Sequence, residues 1–170
     1  KKYQWVTVPL ALHGVVIRKD GTSVTVTIGE DDSDPILMIT DLLPHLAADQ
    51  MQKTAGAVFA GEQLNVLLGS EPLEGEGSEL VKLHMMKLLN DKYGIIEEDF
   101  LSAELTIVPA GKCREVGFDR SLIAAYGHDD RVCAYAELDA LFNIDKPAKT
   151  AVCILADKEE IGSVGISGMQ

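Results

Sequence analysis

Two adjacent glutamates near the end of the sequence are the side chains best placed to do chemistry. Glu159 and Glu160 lie in the segment Asp157-Lys158-Glu159-Glu160-Ile161-Gly162-Ser163. In an extended chain, neighbouring side chains point in different directions. One carboxylate can therefore hold a cation while the other accepts a proton from a water molecule that the cation activates, as a metal hydrolase requires. The alternative is a solvated acidic loop, because acidic residues are mostly exposed.

A second acidic cluster lies earlier in the chain, in the segment Ala125-Tyr126-Gly127-His128-Asp129-Asp130-Arg131. A short carboxylate such as that of Asp129 can bridge two divalent ions, which lie roughly 3.5 to 4 Å apart in two-metal hydrolases. Helix capping is the alternative role, because Asp is also a favoured N-cap residue. The residues alone leave both roles open.

The elements around these carboxylates predict how they come together. Residues 132–142 carry apolar side chains at helical spacing, with Asp129 or Asp130 suited to the N-cap. Residues 150–156 form an apolar run that predicts a buried parallel strand. A helix followed by a parallel strand is half of a right-handed crossover unit, so the predicted fold class is α/β. Ligands bind at the C-terminal edge of such sheets, where we expect Asp129 and the two glutamates to converge.

Four segments of the chain resemble one known family. His128-Asp129-Asp130-Arg131 and Asp157-Lys158-Glu159-Glu160-Ile161-Gly162-Ser163 look like the aspartyl aminopeptidase and aminopeptidase I family of dinuclear metallopeptidases. Pro9-Leu10-Ala11-Leu12-His13 and Asp41-Leu42-Leu43-Pro44-His45-Leu46 also resemble it, so the likeness runs over most of the chain. The resemblance implies a metal-dependent aminopeptidase that removes N-terminal residues from peptides. It implies two divalent metal ions, zinc first, with cobalt or manganese as alternatives.

The same resemblance implies roles for individual residues. Asp129 would bridge the two metal ions, Glu160 would bind one of them, and Glu159 would be the catalytic general base. His13 would reach the peptide substrate of a neighbouring subunit from an inserted domain. A structural histidine within an apolar strand is the alternative for His13.

The resemblance also implies a domain organisation. Residues 109–170 would be part of a three-layer α/β/α metallopeptidase domain, which a β-rich inserted domain with one long helix, residues 1–108, interrupts. The inserted domain would mediate a homo-oligomer built from dimers, with a tetrahedral dodecamer as its larger form. Family members carry further His and Asp ligands before and after the part that this chain resembles. We therefore expect an internal part of a longer enzyme, inactive by itself.

Local signals in residues 1–108 predict a hairpin and a helix. Asp20-Gly21 separates the strand-like runs 5–17 and 23–28, and this dipeptide is typical of a type I′ hairpin turn. Ser78 is placed to cap a helix over 79–93, and Gly94 follows as a C-terminal cap. The stripe formed by four apolar residues of this helix predicts that it packs into the core. The stripe consists of Val81, Met85, Leu88 and Leu89. A strand is expected over 101–109.

Composition restricts the classes of partner. The formal net charge of −12 argues against nucleic acid, which requires clustered Lys and Arg. No apolar run reaches the roughly 20 residues that a transmembrane helix needs, so no membrane partner is expected. The three cysteines form no CxxC pair, which favours a reducing cytoplasm. Two other functions remain open: a dinuclear amidohydrolase acting on another amide, and a non-catalytic oligomerisation module.

Overall fold

The computed structural model describes residues 6–162 and residue 168. The chain forms two compact units, Lys1–Lys112 and Cys113–Gln170, and each is described by itself. The strands are β1 (Leu10–Ile17), β2 (Ser23–Ile28), β3 (Met38–Ile39), β4 (Val66–Leu67), β5 (Ala103–Pro109), β6 (Arg114–Val116) and β7 (Leu122–Ala124). The α-helices are α1 (Ala48–Met51), α2 (Leu80–Tyr93) and α3 (His128–Phe142). The fold is therefore mixed α/β.

A three-stranded antiparallel sheet organises the first unit. Its strand order is β2-β1-β5, so β1 is central. His13 of β1 lies opposite Thr27 of β2 on one side and Thr106 of β5 on the other. Gly14, the next residue along β1, has no room for a side chain, because a Cβ there would lie 2.0 Å from the carbonyl oxygen of Glu104. Neighbouring backbones therefore require glycine at this position.

The predicted hairpin is confirmed, but the turn type is different. Arg18 accepts a backbone hydrogen bond from Gly21, and the Arg18 N–H donates to Thr22 O at 2.8 Å. Only Gly21 has a positive φ, of 84°, whereas a type I′ turn requires positive φ at Asp20 as well. The loop is therefore a three-residue turn with a bulge at Gly21. The Asp20 carboxylate stabilises it by accepting from the Thr22 N–H and hydroxyl.

The core of the first unit lies on one face of this sheet. Val16, Val26 and Ile95 are fully buried together, and five half-buried residues pack against them: Leu12, Ile28, Tyr93, Ala103 and Leu105. Along β2 the valines and Ile28 face inwards while the intervening serine and threonines are exposed. Polar and apolar residues alternate along this strand, as expected when one face of a strand is exposed to solvent.

Helix α2 begins one residue later than predicted, and Ser78 does not cap it. The N-cap is Glu79, with a φ of 61° and no side-chain hydrogen bond to the helix. At the other end Gly94 has a φ of 67°, and its N–H donates to Asn90 O, so the predicted glycine cap is confirmed. No residue of α2 is fully buried, and Leu88 is half exposed. The predicted core stripe is therefore only a half-buried face.

Buried Asp99 joins the hairpin turn to the segment before β5. It lies in a 3₁₀ helix, Glu97–Ser102, and is 4% exposed. Its carboxylate accepts from the backbone N–H of Lys19 and from that of Ile96, both at 2.9 Å. Two backbone donors thereby satisfy the Asp99 carboxylate, which offsets the cost of burying this charged group.

Shorter pieces connect β2 to α2. Strands β3 and β4 lie here and pair with each other. Three 3₁₀ helices lie here: Pro44–Leu46, Ala55–Ala57 and Gly61–Gln63. In each of these strands, only two residues pair with the neighbouring strand.

The second unit contains a short hairpin and one helix. Strands β6 and β7 pair antiparallel, and α3 follows. The predicted strand over 150–156 is wrong for this structure: the segment makes no ladder, and Val152 is 73% exposed. The physical reason is that no described strand lies beside it to exchange backbone hydrogen bonds. Between residues 6 and 162, no helix combines the length and the apolar character that crossing a bilayer requires.

Candidate functional site

The turn that leads into α3 presents Asp129. Gly127 begins this turn in the left-handed region, with a φ of 79°. The Arg131 guanidinium donates to Gly127 O at 3.1 Å, and a ring nitrogen of His128 lies 3.1 Å from Ile123 O. These contacts tie the start of α3 to its own turn and to β7. These two hydrogen bonds stabilise the turn without involving the carboxylates.

Asp129 does not cap the helix. The N-cap position is held by Gly127, and no side chain makes a capping hydrogen bond there. Asp129 has extended backbone angles (φ −85°, ψ 114°), and the peptide bond between Asp129 and Asp130 is cis. Its side chain is exposed. The Asp129 carboxylate therefore makes no capping hydrogen bond among the described residues, and its role as a metal ligand stays a prediction.

Cys133 lies within the acidic first turns of α3. The negative charge of Asp130 and a hydrogen bond to that carboxylate raise the pKa of the Cys133 thiol, and Asp129 adds to the effect. A raised pKa keeps the thiol protonated at neutral pH, whereas the thiolate is the reactive form. Cys133 is therefore a poor nucleophile and a poor metal ligand. The acidic character of this turn instead favours a cation.

Glu159 and Glu160 lie in a 3₁₀ helix, Glu159–Ile161, rather than in extended chain. Lys158 before it and Gly162 after it have positive φ, and the Gly162 N–H donates to Glu159 O at 2.9 Å. Successive residues of a 3₁₀ helix are about 120° apart around its axis. The two exposed carboxylates therefore still point in different directions. The rest of the signature segment, from Ser163, lies outside the described residues.

An apolar groove of about 350 Å³ lies between α3 and the segment before the glutamates. Its walls are formed by Ala140 and Leu141 of α3, by Ile144 just beyond the helix, and by residues 151–154. None of the three candidate carboxylates lines this groove. The groove therefore does not hold the candidate chemistry.

The candidate carboxylates supply part of a metal site. Asp129 and Glu160 are exposed oxygen donors, the ligand type that suits divalent cations. Within the described ranges, however, no three His, Cys, Asp or Glu side chains come close enough together to hold a metal ion. The expected convergence of Asp129, Glu159 and Glu160 is not formed by these residues alone. Zinc normally takes four ligands, so the donor chemistry fits while the number of ligands does not.

His13 lies in the other unit, on β1. Its Nε2 is 2.7 Å from Oε1 of Glu30, and the two side chains are 40% and 37% exposed. One ring nitrogen of His13 therefore has a hydrogen-bond partner, as in a structural histidine. The ring is also partly exposed to solvent. Glu30 was not singled out from the sequence. The available signal was its place directly after β2, the strand that pairs with β1.

Comparisons with known proteins identify the family to which this chain is similar. The family model described as aminopeptidase I zinc metalloprotease (M18) matches residues 1–170. A relative from Clostridium acetobutylicum, named probable M18 family aminopeptidase 1, is 57% identical over the whole chain. The chain spans 37% of that relative's length.

Two solved structures share the fold. The crystal structure of aminopeptidase I from Clostridium acetobutylicum has a TM-score of 0.85 at 57% identity, covering 100% of this chain and 38% of that one. The crystal structure of an M18 family aminopeptidase from Thermotoga maritima also has a TM-score of 0.85, at 49% identity, with 96% and 36% covered. The likeness therefore extends over almost all of this chain and over little more than a third of each neighbour.

Proposed function

The chain belongs to the aminopeptidase I zinc metalloprotease family (M18), and from this premise we propose that the whole protein is a metal-dependent aminopeptidase that removes N-terminal residues from peptides. The observation that carries the proposal is the family match over all 170 residues, supported by a relative at 57% identity that is named as an aminopeptidase. Because this chain spans 37% of that relative, the activity is proposed for the whole protein.

The two units have different proposed roles. Residues 1–108, with the antiparallel sheet and α2, form an inserted domain that mediates a dimer-based homo-oligomer, with a tetrahedral dodecamer as its larger form. Residues 109–170 form part of a three-layer α/β/α catalytic domain. The exposed apolar side chains of residues 150–156 support this assignment, because a strand of such a domain would bury them between neighbours.

Asp129 and Glu160 are the proposed metal ligands. Asp129 would bridge two divalent ions, and Glu160 would bind one of them. The ions are zinc, with cobalt or manganese as alternatives, and the remaining ligands come from parts of the whole protein outside this chain. Both side chains are exposed on short structured turns, which supports the assignment because an ion can reach their oxygens.

Glu159 is the proposed general base. Its carboxylate takes a proton from the water molecule that attacks the first peptide carbonyl and passes the proton on to the departing amine. The 3₁₀ helix supports this division of roles, because it points Glu159 away from the direction taken by Glu160. When bound, the metal ions lower the pKa of water and stabilise the negative charge that develops on the carbonyl oxygen.

His13 is the proposed substrate contact from a neighbouring subunit. Its partly exposed ring on β1 supports this role, since a fully buried ring would be unable to meet a substrate. The enzyme is proposed to work in the cytoplasm, where the thiols of its three free cysteines stay reduced.

A substrate panel tests the proposed activity. The whole protein, loaded with zinc, is offered aminoacyl reporter amides with a free amine and the same amides with an acetylated amine. We expect cleavage of the free-amine series, loss of cleavage after chelation, and recovery when metal is added back. Equal cleavage of the acetylated series would identify a different amidohydrolase. Absence of both metal uptake and cleavage would leave an oligomerisation module.

A further inference from the structure

One hydrogen bond fixes how His13 can present its ring. Nε2 lies 2.7 Å from Oε1 of Glu30, which is within the range of a strong charge-assisted hydrogen bond. A carboxylate only accepts hydrogen bonds, so the proton of this bond belongs to Nε2. The ring nitrogen left for any other partner is Nδ1. In the neutral ring Nδ1 is an acceptor, and no described residue occupies it.

Glu30 is itself held in place by the loop that it belongs to, residues 29–34, here called the acidic loop. Asp34 closes this loop by accepting from the Gly29 N–H at 3.1 Å, and its other carboxylate oxygen pairs with Lys92 of α2 at 3.2 Å. These hydrogen bonds, first that of Gly29 and then that of Lys92, lower the pKa of Asp34, so it remains charged at neutral pH. The loop is thereby fastened to a helix.

The acidic loop is also packed against β1. Gly29 is buried, with a φ of 99°, and a Cβ added to it would lie 3.0 Å from Cα of Ala11. A side chain here would force β1 to shift slightly and would be strained by the positive φ, so glycine is strongly favoured. The backbone directly before Glu30 is therefore held close to the strand that carries His13, and the Glu30 carboxylate has a defined place beside the imidazole.

From these contacts we infer that Glu30 is a positioning residue for His13: it engages Nε2 and so leaves Nδ1 as the ring nitrogen that meets a polar group of the peptide substrate. This inference rests on the proposed function of His13 as a substrate contact. Glu30 acts through the histidine and does not touch the substrate itself.

The first test measures the imidazole directly in the 170-residue chain. A long-range ¹H–¹⁵N spectrum distinguishes a protonated ring nitrogen from an unprotonated one, and the four histidines are assigned by comparison with His13→Gln. We expect His13 to show a protonated Nε2 with an observable N–H proton, because Glu30 Oε1 accepts from it. In Glu30→Ala the proton signal is lost to exchange with water. In Glu30→Gln, whose amide oxygen still accepts, it is retained.

The acidic loop offers a matched control. Asp32→Asn removes a carboxylate two residues from Glu30, but Asp32 pairs with Lys112 at 2.9 Å and is 89% exposed. This variant should leave the His13 spectrum unchanged. The signal persisting in Glu30→Ala, or vanishing equally in Asp32→Asn, would overturn the inference that Glu30 specifically holds the ring.

The second test measures catalysis by the whole protein. Loss of a hydrogen bond to a charged group weakens binding by about tenfold to hundredfold. We expect Glu30→Ala to raise KM about tenfold with little change in kcat, because a substrate contact that is equally strong throughout the reaction acts on KM. Glu30→Gln should restore most of the affinity. In a His13→Ala background, Glu30→Ala should have no further effect, because the two residues act as one unit.

The outcomes separate the two proposals. An active parent in which Glu30→Ala leaves KM unchanged, or in which the two substitutions add independently, overturns the inference about Glu30 alone. A parent that binds metal but cleaves no free-amine substrate overturns the proposed function, and this shows before any variant is made. A fall in kcat without a change in KM would also contradict the positioning role, because it would place the residue in the chemical step.

Discussion

Replacing Asp99 tests how the first unit is held together. This carboxylate is 4% exposed and accepts two backbone hydrogen bonds, from Lys19 in the hairpin turn and from Ile96 before the 3₁₀ helix. Each hydrogen bond to a charged group contributes about 1.5 to 3 kcal/mol. Lys19 and Ile96 are exposed residues, so water can partly replace the lost bonds. We therefore expect Asp99→Ala to lower the free energy of unfolding by about 3 kcal/mol, near the lower end of the sum.

The matched comparison is Glu98→Ala. Glu98 contacts the same Lys19, but through its side chain, in an ion pair whose members are 78% and 65% exposed. Exposed ion pairs contribute about 0 to 1 kcal/mol, so this variant should be close to the parent. Urea unfolding followed by circular dichroism measures the free energy of unfolding of both variants. In thermal unfolding, Asp99→Ala should lower Tm by roughly 10 °C.

The reasoning would be refuted by equal midpoints for the two variants, since the buried backbone hydrogen bonds would then contribute no more than a surface ion pair. A changed slope of unfolding free energy against urea would show instead that Asp99→Ala alters the compactness of the unfolded or folded state. The midpoint shift is interpreted only with an unchanged slope.

Three further predictions concern the same unit. Gly14→Ala should destabilise it by more than about 3 kcal/mol, because the new methyl group collides with a backbone carbonyl of β5; a variant with an unchanged urea midpoint would contradict this. Gly94→Ala should cost about 1 kcal/mol, because the C-cap needs a φ of 67°, and thermal unfolding would show it as a lower Tm. The pKa of Asp34 is lowered by its hydrogen bonds to Gly29 and Lys92, so its contribution to stability is complete above the ordinary value of 3.8 and is lost as the pH falls through the lower, folded value. Asp34→Asn should therefore make the loss of stability between about pH 5 and pH 2 less steep, and equally steep curves would show that another group causes the loss.

The sequence predicted local features of the fold well where one residue type decides the conformation. Gly21 and Gly94 have the positive φ that their positions require, and the alternation in residues 23–28 gave the exposed and buried faces of β2 correctly. The type of the hairpin turn was wrong, because an Asp-Gly pair suits both a two-residue turn and a bulged three-residue turn.

Features that depend on distant partners were predicted less well. Residues 150–156 have the composition of a buried strand, but a strand forms only where another strand supplies hydrogen bonds. The same limit applies to Glu30, since its contact with His13 joins residues 17 positions apart. For Asp129, composition allowed capping and metal binding equally; the described residues contain no capping hydrogen bond from its carboxylate, and metal binding stays a prediction.

The distinct roles proposed for Asp129, Glu159 and Glu160 are tested most directly by measuring metal content and hydrolysis together. The whole protein is compared with Glu159→Gln, Glu160→Gln and Asp129→Asn, each analysed for bound zinc after dialysis and for cleavage of a free-amine aminoacyl reporter. We predict that Glu159→Gln keeps the parent's metal content and loses at least about a hundredfold in kcat. The other two variants should lose metal as well as activity. Retention of full activity by Glu159→Gln, or of full metal content by both ligand variants, would contradict the roles proposed for these carboxylates.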